Sequence, residues 1–173
     1  RNKFRVEIPN EEVQTDFISL TESYLKLEIG QLDRITDSLM NEDKKEFIQC
    51  YKEILMVPSY YDLTNENSYH MMMLGMCICL SNDYKVISNR EEGKGRCDLI
   101  LKAKDEKKTS FVLEFKYLKE DKEDIQSELN ALSEKAIQQI ISNKYDSDLT
   151  GKVIYIGLAH HGKDVVIQWM ERS

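Results

Sequence analysis

The chain has 173 residues, of which 41% are hydrophobic and 32% charged, with a formal net charge of −7. That length can enclose one proper core, and no apolar run approaches a membrane span; the most apolar segment, Met71 to Leu80, is short and interrupted by Gly75. The acidic balance argues against an extended phosphate-binding surface, and the four cysteines (Cys50, Cys77, Cys79, Cys97) lack zinc spacing and predict a reduced, cytoplasmic chain without disulfides.

The chain opens at Arg1 with no signal-peptide pattern, so it reads as part of something longer. Phe4 to Ile8 alternates and stops at Pro9, which predicts a short edge strand. Asn10 can cap a helix whose apolar stripe is Val13, Phe17, Leu20, Tyr24 and Leu27. Two further helices follow, one on Leu32, Ile35 and Leu39, the next after Asp43 on Phe47, Tyr51, Ile54 and Leu55, with Pro58 as its stop. Thr64 or Asn65 caps a fourth helix with Tyr69, Met72, Met73, Met76 and Leu80 at core spacing. Glu66 sits in its first turn, where it either complements the helix dipole or joins a cluster of carboxylates.

Three strands come next, roughly Tyr84 to Asn89, Arg96 to Lys104 and Thr109 to Leu118, with Asp105 to Lys108 as a hairpin turn. A helix then buries Ile125, Leu129, Leu132, Ala136 and Ile140 and aims Gln139, rather than Gln138, at the sheet. Val153 to Ala159 is a continuous apolar strand, and His160 to Lys163 reads as a solvated turn before a last strand anchored by Trp169. The first 62 residues are therefore expected to form a strand and helical region packed on a core spanning 63–173, all within one compact unit.

The chemistry concentrates on the middle strands. Phe111, Leu113, Phe115 and Tyr117 project to one face and Val112, Glu114 and Lys116 to the other, so Glu114 and Lys116 stand about 6–7 Å apart on one side. A carboxylate in an apolar strand needs an ion pair, a hydrogen bond or a metal. With Asp98 from the neighbouring strand, two carboxylates and a lysine converge. Two carboxylates and a backbone carbonyl suffice for Mg²⁺ or Mn²⁺, which acidifies water and neutralises charge on a phosphodiester. Lys116 can then handle a proton or stabilise the pentavalent oxygens, with Gln139 orienting from above.

These residues resemble the PD-(D/E)XK nuclease superfamily, in particular the nuclease-like domain found behind AAA-ATPase-like domains in bacterial proteins. The resemblance runs through Ile8-Pro9-Asn10-Glu11-Glu12-Val13, Tyr69-His70, Ser88-Asn89-Arg90-Glu91, Gly93-Lys94-Gly95-Arg96-Cys97-Asp98 and Leu113-Glu114-Phe115-Lys116. It continues through Ala136, Gln139-Ile140, Lys144-Tyr145, Gly157-Leu158-Ala159 and Gly162-Lys163. It implies an α/β, restriction-endonuclease-like αβββαβ core with a mixed central sheet, preceded by the helical region. It also implies Asp98 and Glu114 as metal ligands with Glu66 and the Phe115 carbonyl beside them, Lys116 as the catalytic lysine, and Gln139 as the accessory helix residue. Cys97 stands where the superfamily's name has proline. Tyr145 lies six residues after Gln139, on another face of any unbroken helix, and is expected to do no more than pack at the helix end.

Arg90, Lys94 and Arg96 flank the site and could hold substrate phosphates, or pair with Glu91 and Glu92. The expected function is a Mg²⁺- or Mn²⁺-dependent nuclease acting on nucleic acid, DNA ahead of RNA. The rival is an inactive module of the same fold that binds a protein or nucleic-acid partner; a toxin effector or its inactive relative is a third reading.

Overall fold

The computed structural model describes residues 11–28, 30–57, 63–92, 95–120 and 123–173, so the edge strand expected at Phe4 to Ile8 lies outside the described residues. Four helices come first: α1 (Glu11–Leu25), α2 (Gln31–Met40), α3 (Lys44–Leu55) and α4 (Glu66–Cys77), the last running into a 3-10 turn at Ile78–Leu80. Strands β1 (Tyr84–Glu92), β2 (Gly95–Ala103) and β3 (Ser110–Tyr117) follow, then α5 (Ile125–Asn143), β4 (Val153–His161) and β5 (Asp164–Glu171).

Side-chain carboxylates and amides set several helix starts. Asp43 accepts the Glu46 N–H at 3.0 Å to open α3, and Asn65 accepts the Ser68 N–H at 3.2 Å to open α4. Asp124 does the same for α5 through the Ser127 N–H at 3.0 Å.

The five strands form one mixed sheet in the order β1-β2-β3-β4-β5. The β3–β4 pair is parallel, as its helical crossover through α5 requires, and the other three pairs are antiparallel. This is the α/β architecture expected, with the helical region ahead of it.

The two sheet faces are covered differently. On one face Leu99, Leu101, Phe111, Leu113, Phe115, Ile156 and Leu158 pack in one buried cluster with Leu32, Leu39, Phe47, Tyr51, Tyr69 and Met73 from α2, α3 and α4. Ile100, Val112 and Tyr155 on the other face meet Ile137 and Ile140 of α5. At Gly157 of β4 an added Cβ would lie 2.4 Å from the Ser133 carbonyl oxygen, so only glycine lets α5 lie this close to the sheet.

Three expectations need correction. In α1, Val13 and Leu20 are exposed, Leu20 at 65%, whereas Ile18 packs against the core, as does the expected Leu27 just beyond the helix; the side chains of Phe17 and Tyr24 lie outside the described residues. A short helix that covers a core edge follows the shape of that edge rather than its own apolar count. His160 and His161 are not a solvated turn; they end β4, and the turn is Gly162 and Lys163. His160 is fully buried, stacked on Tyr69 with ring centroids 3.9 Å apart. Burial drives its pKa down to about 3 and keeps it neutral; because Nδ1 faces the Lys116 carbonyl, which can only accept, Nε2 is left to accept the Tyr51 hydroxyl at 2.8 Å. Nδ1–H then points at the Lys116 carbonyl, 3.4 Å away. Tyr145, the third correction, does more than pack at the helix end, because its hydroxyl accepts from Gln139 and Asn143.

Candidate active site

The β2–β3 ladder pairs Leu101 with Phe111, Ile100 with Val112 and Leu99 with Leu113, and goes no further. Beyond Leu113 the strands fork, while β3 stays paired with β4 through Tyr117. At the fork the Asp98 carboxylate stands in for a main-chain partner, Oδ2 accepting the Phe115 N–H at 2.8 Å. In an extended strand a residue's N–H and C=O point to the same side, so the Phe115 carbonyl also faces the opened gap. Forking thus delivers a carboxylate and a main-chain oxygen to one place.

Glu114 faces α5 and is 2% exposed. Its Oε1 accepts from Lys116 Nζ at 2.9 Å and from Gln139 Nε2 at 2.5 Å. Burial, reinforced by the nearby Asp98 charge, pushes its carboxyl up to about 7, even though the Lys116 ammonium, the hydrogen bond it donates and the polar Asp98 main chain pull the other way. Burial alone would lower Lys116, but Glu114, with Glu66 and Asp98, outweighs it and holds the ammonium above its ordinary range. The lysine is charged at neutral pH, whereas its partner is poised between two states.

Glu66, at the start of α4, reaches over from the other side. Its Oε1 is 3.9 Å from Lys116 Nζ, and the half-exposed carboxyl is raised by burial and by Asp98 against the pull of Lys116 and the Tyr117 N–H. Lys116 therefore bridges the two glutamates. Among the described residues no three of Asp, Glu, His and Cys gather as a complete metal-holding group. The oxygen donors at the fork are Asp98, Glu114 and the main chain.

Gln139 donates through Nε2 to the Tyr145 hydroxyl, at 3.2 Å, as well as to Glu114. Asn143 Nδ2 donates to the same hydroxyl at 2.9 Å. Six residues of continuous helix would have parted Gln139 from Tyr145. The helix instead ends at Asn143, and Lys144 adopts a left-handed conformation (φ 54°) that turns the chain back under α5. The usual marker of such a turn is glycine or asparagine, and lysine carries no such signal. Lys94 lies outside the described residues, as do the side chains of Arg90 and Arg96, so their phosphate-binding role stays an expectation.

The donor set can be tested against a divalent cation. Glu114 Oε2 is buried and has no hydrogen-bond partner. An unsatisfied buried carboxylate oxygen is destabilising by about 1–3 kcal/mol or more. A hard cation that keeps several waters and takes one or two carboxylates would satisfy it. The residues present fit Mg²⁺ or Mn²⁺.

A mixed sheet forked at an aspartate, with a buried Glu-x-Lys on the adjoining strand, defines a restriction-endonuclease-like domain. The model of the PD-(D/E)XK nuclease superfamily matches residues 64–170, more than half of the chain, and the chain belongs to that superfamily. No curated protein matches it. Among the described residues no helix is long and apolar enough to cross a membrane.

Proposed function

We propose that the protein is a divalent-metal-dependent nuclease that hydrolyses phosphodiester bonds, acting on DNA in preference to RNA within the cytoplasm. One observation carries the reading: a buried carboxylate, Glu114, has one oxygen tied to Lys116 and Gln139 and the other unpartnered beside the Asp98 fork. Asp98, Glu114 and the Phe115 carbonyl would hold Mg²⁺ or Mn²⁺, with Glu66 facing Lys116 from the other side. The ion, when bound, acidifies water and neutralises charge on the phosphodiester.

The chain's own groups then divide the work. Lys116, an ammonium at neutral pH, offers charge and a proton to the phosphoryl oxygens. Gln139 fixes the orientation of Glu114 and is itself held by the Tyr145 hydroxyl, which also accepts from Asn143. Arg90, Lys94 and Arg96 are the candidate contacts for flanking phosphates.

Incubation with DNA or RNA and either metal, with Asp98→Ala and Lys116→Ala beside the parent, tests this. Metal-dependent cleavage lost in both variants is expected, and cleavage indifferent to both removes these residues from the mechanism. The net charge of −7 favours a second reading, an inactive module that binds a protein or another part of a longer chain, such as an AAA-ATPase-like domain. Calorimetric titration with Mn²⁺ separates the two: a silent titration, unchanged by Glu114→Ala, selects the second.

A further inference from the structure

Beyond the end of β3 lies a cavity of about 390 Å³ lined, among the described residues, by Leu63, Thr64, Tyr117, Ile125, His161, Gly162 and Asp164. It adjoins the candidate active site through the main chain: Tyr117 follows Lys116 directly, and the Tyr117 N–H lies on the Glu66 carboxylate. Thr64 leads into the cap of α4, the helix that carries Glu66. Its walls are fixed in advance. Tyr117 packs at a tilt on Tyr69, ring centroids 6.0 Å apart, and the Tyr69 hydroxyl donates to the Gly162 carbonyl at 2.6 Å. His161 is held through Nδ1 to the Leu118 carbonyl, 2.8 Å away.

Charge indicates which part of a substrate such a cavity suits. Among the described residues no lysine or arginine lines it and the acidic side chain that does is Asp164, so this lining disfavours phosphate, whereas the cationic Lys116 sits on the neighbouring step of the strand. An aromatic wall, aliphatic side chains and a carboxylate acceptor suit an uncharged, planar group that carries an N–H donor. A nucleobase has all of these properties, and the volume falls within the range of small-molecule sites.

We infer that this cavity receives one base of the nucleic-acid strand, unstacked beside the bond to be cut, with Asp164 favouring bases that carry an exocyclic amine. The inference rests on the nuclease reading and adds to it a preference for a strand whose bases can leave the stack: a single strand, an end or a flipped position.

The test uses the full chain and a short fluorescent single-stranded DNA in Ca²⁺, which replaces the catalytic ion, with binding read by anisotropy. A series of competitor strands carries one abasic site, moved one position at a time, and the same strands are assayed for cleavage in Mg²⁺. Expected is one position at which the abasic site weakens binding about tenfold, the worth of one base–aromatic contact. That dependence should vanish in Tyr117→Leu, and Asp164→Asn should reduce the advantage of cytosine over thymine at that position. Cleavage with equal binding at every abasic position overturns the base cavity and leaves the nuclease reading standing. A position-dependent loss without any cleavage keeps the cavity and removes the hydrolysis. Absence of DNA binding overturns both.

Discussion

Replacing Glu114 by glutamine keeps the shape of the side chain and removes its charge, which isolates what that buried charge does to the fold. The Glu114 carboxyl is held at about 7 against an ordinary 4.5, chiefly by burial. At about 1.4 kcal/mol per pH unit, the ionised side chain therefore destabilises the native state by about 3 kcal/mol once ionisation is complete. Because the native pKa lies above the unfolded one, the native state binds more protons across this interval, and stability falls as pH rises. The penalty is absent below about pH 4.5 and complete above about pH 7. Glu114→Gln should gain about 3 kcal/mol on the parent between those limits, a relative rise in Tm of about 6–12 °C for a chain of this size. Urea unfolding followed by far-UV circular dichroism at a series of pH values measures the difference directly, and groups common to both proteins cancel. Saturating Mg²⁺ should close most of the gap at the alkaline end by stabilising only the parent, since binding at a hundredfold over Kd is worth about 2.7 kcal/mol. A stability difference that does not change with pH would refute the reasoning about Glu114.

His160, held neutral at about 3 by burial, acts in the opposite sense: the stability it allows is present above about pH 6.5 and is lost as pH falls toward 3. His160→Phe should flatten the acid limb of the unfolding curve, and an unaltered limb would show that another group controls it. Tyr145→Phe removes the hydroxyl that holds Gln139 and Asn143, so stability should drop by about 1 kcal/mol while kcat falls more than KM changes, checked by steady-state cleavage with Mg²⁺. Gly157→Ala forces a Cβ against the Ser133 carbonyl and should destabilise by about 1–3 kcal/mol, with displacement of Gln139 from Glu114 visible as lost cleavage even at temperatures where the variant remains folded.

The sequence carried the parts of this molecule that obey a period. Alternation in Phe111 to Tyr117 assigned Glu114 and Lys116 to the face opposite Phe115, and the helical period turned Gln139 toward the sheet; both positions are as the structure has them. What was illegible depended on departures from period. The reversal at Lys144 that restores Tyr145 to Gln139 is one such departure, since a left-handed lysine has no compositional marker. His160 is another. Polar residues at the end of an apolar strand resemble a turn, and the partners that make burial of that imidazole tolerable, the Tyr51 hydroxyl above all, come from more distant parts of the chain. In α1, counting apolar residues could not foresee that Ile18 rather than Leu20 meets the core.

Asp98 has one oxygen committed to the Phe115 N–H, so its carboxylate cannot swivel as a surface aspartate would. Any ion drawn to its other oxygen would meet a donor whose bearing is dictated by the strand rather than by a soft side-chain torsion. On the proposed metal reading, tolerance for ionic radius would follow sheet curvature, and a substitution in the hairpin that altered the splay of β2 would shift which ion fits without touching Asp98 or Glu114.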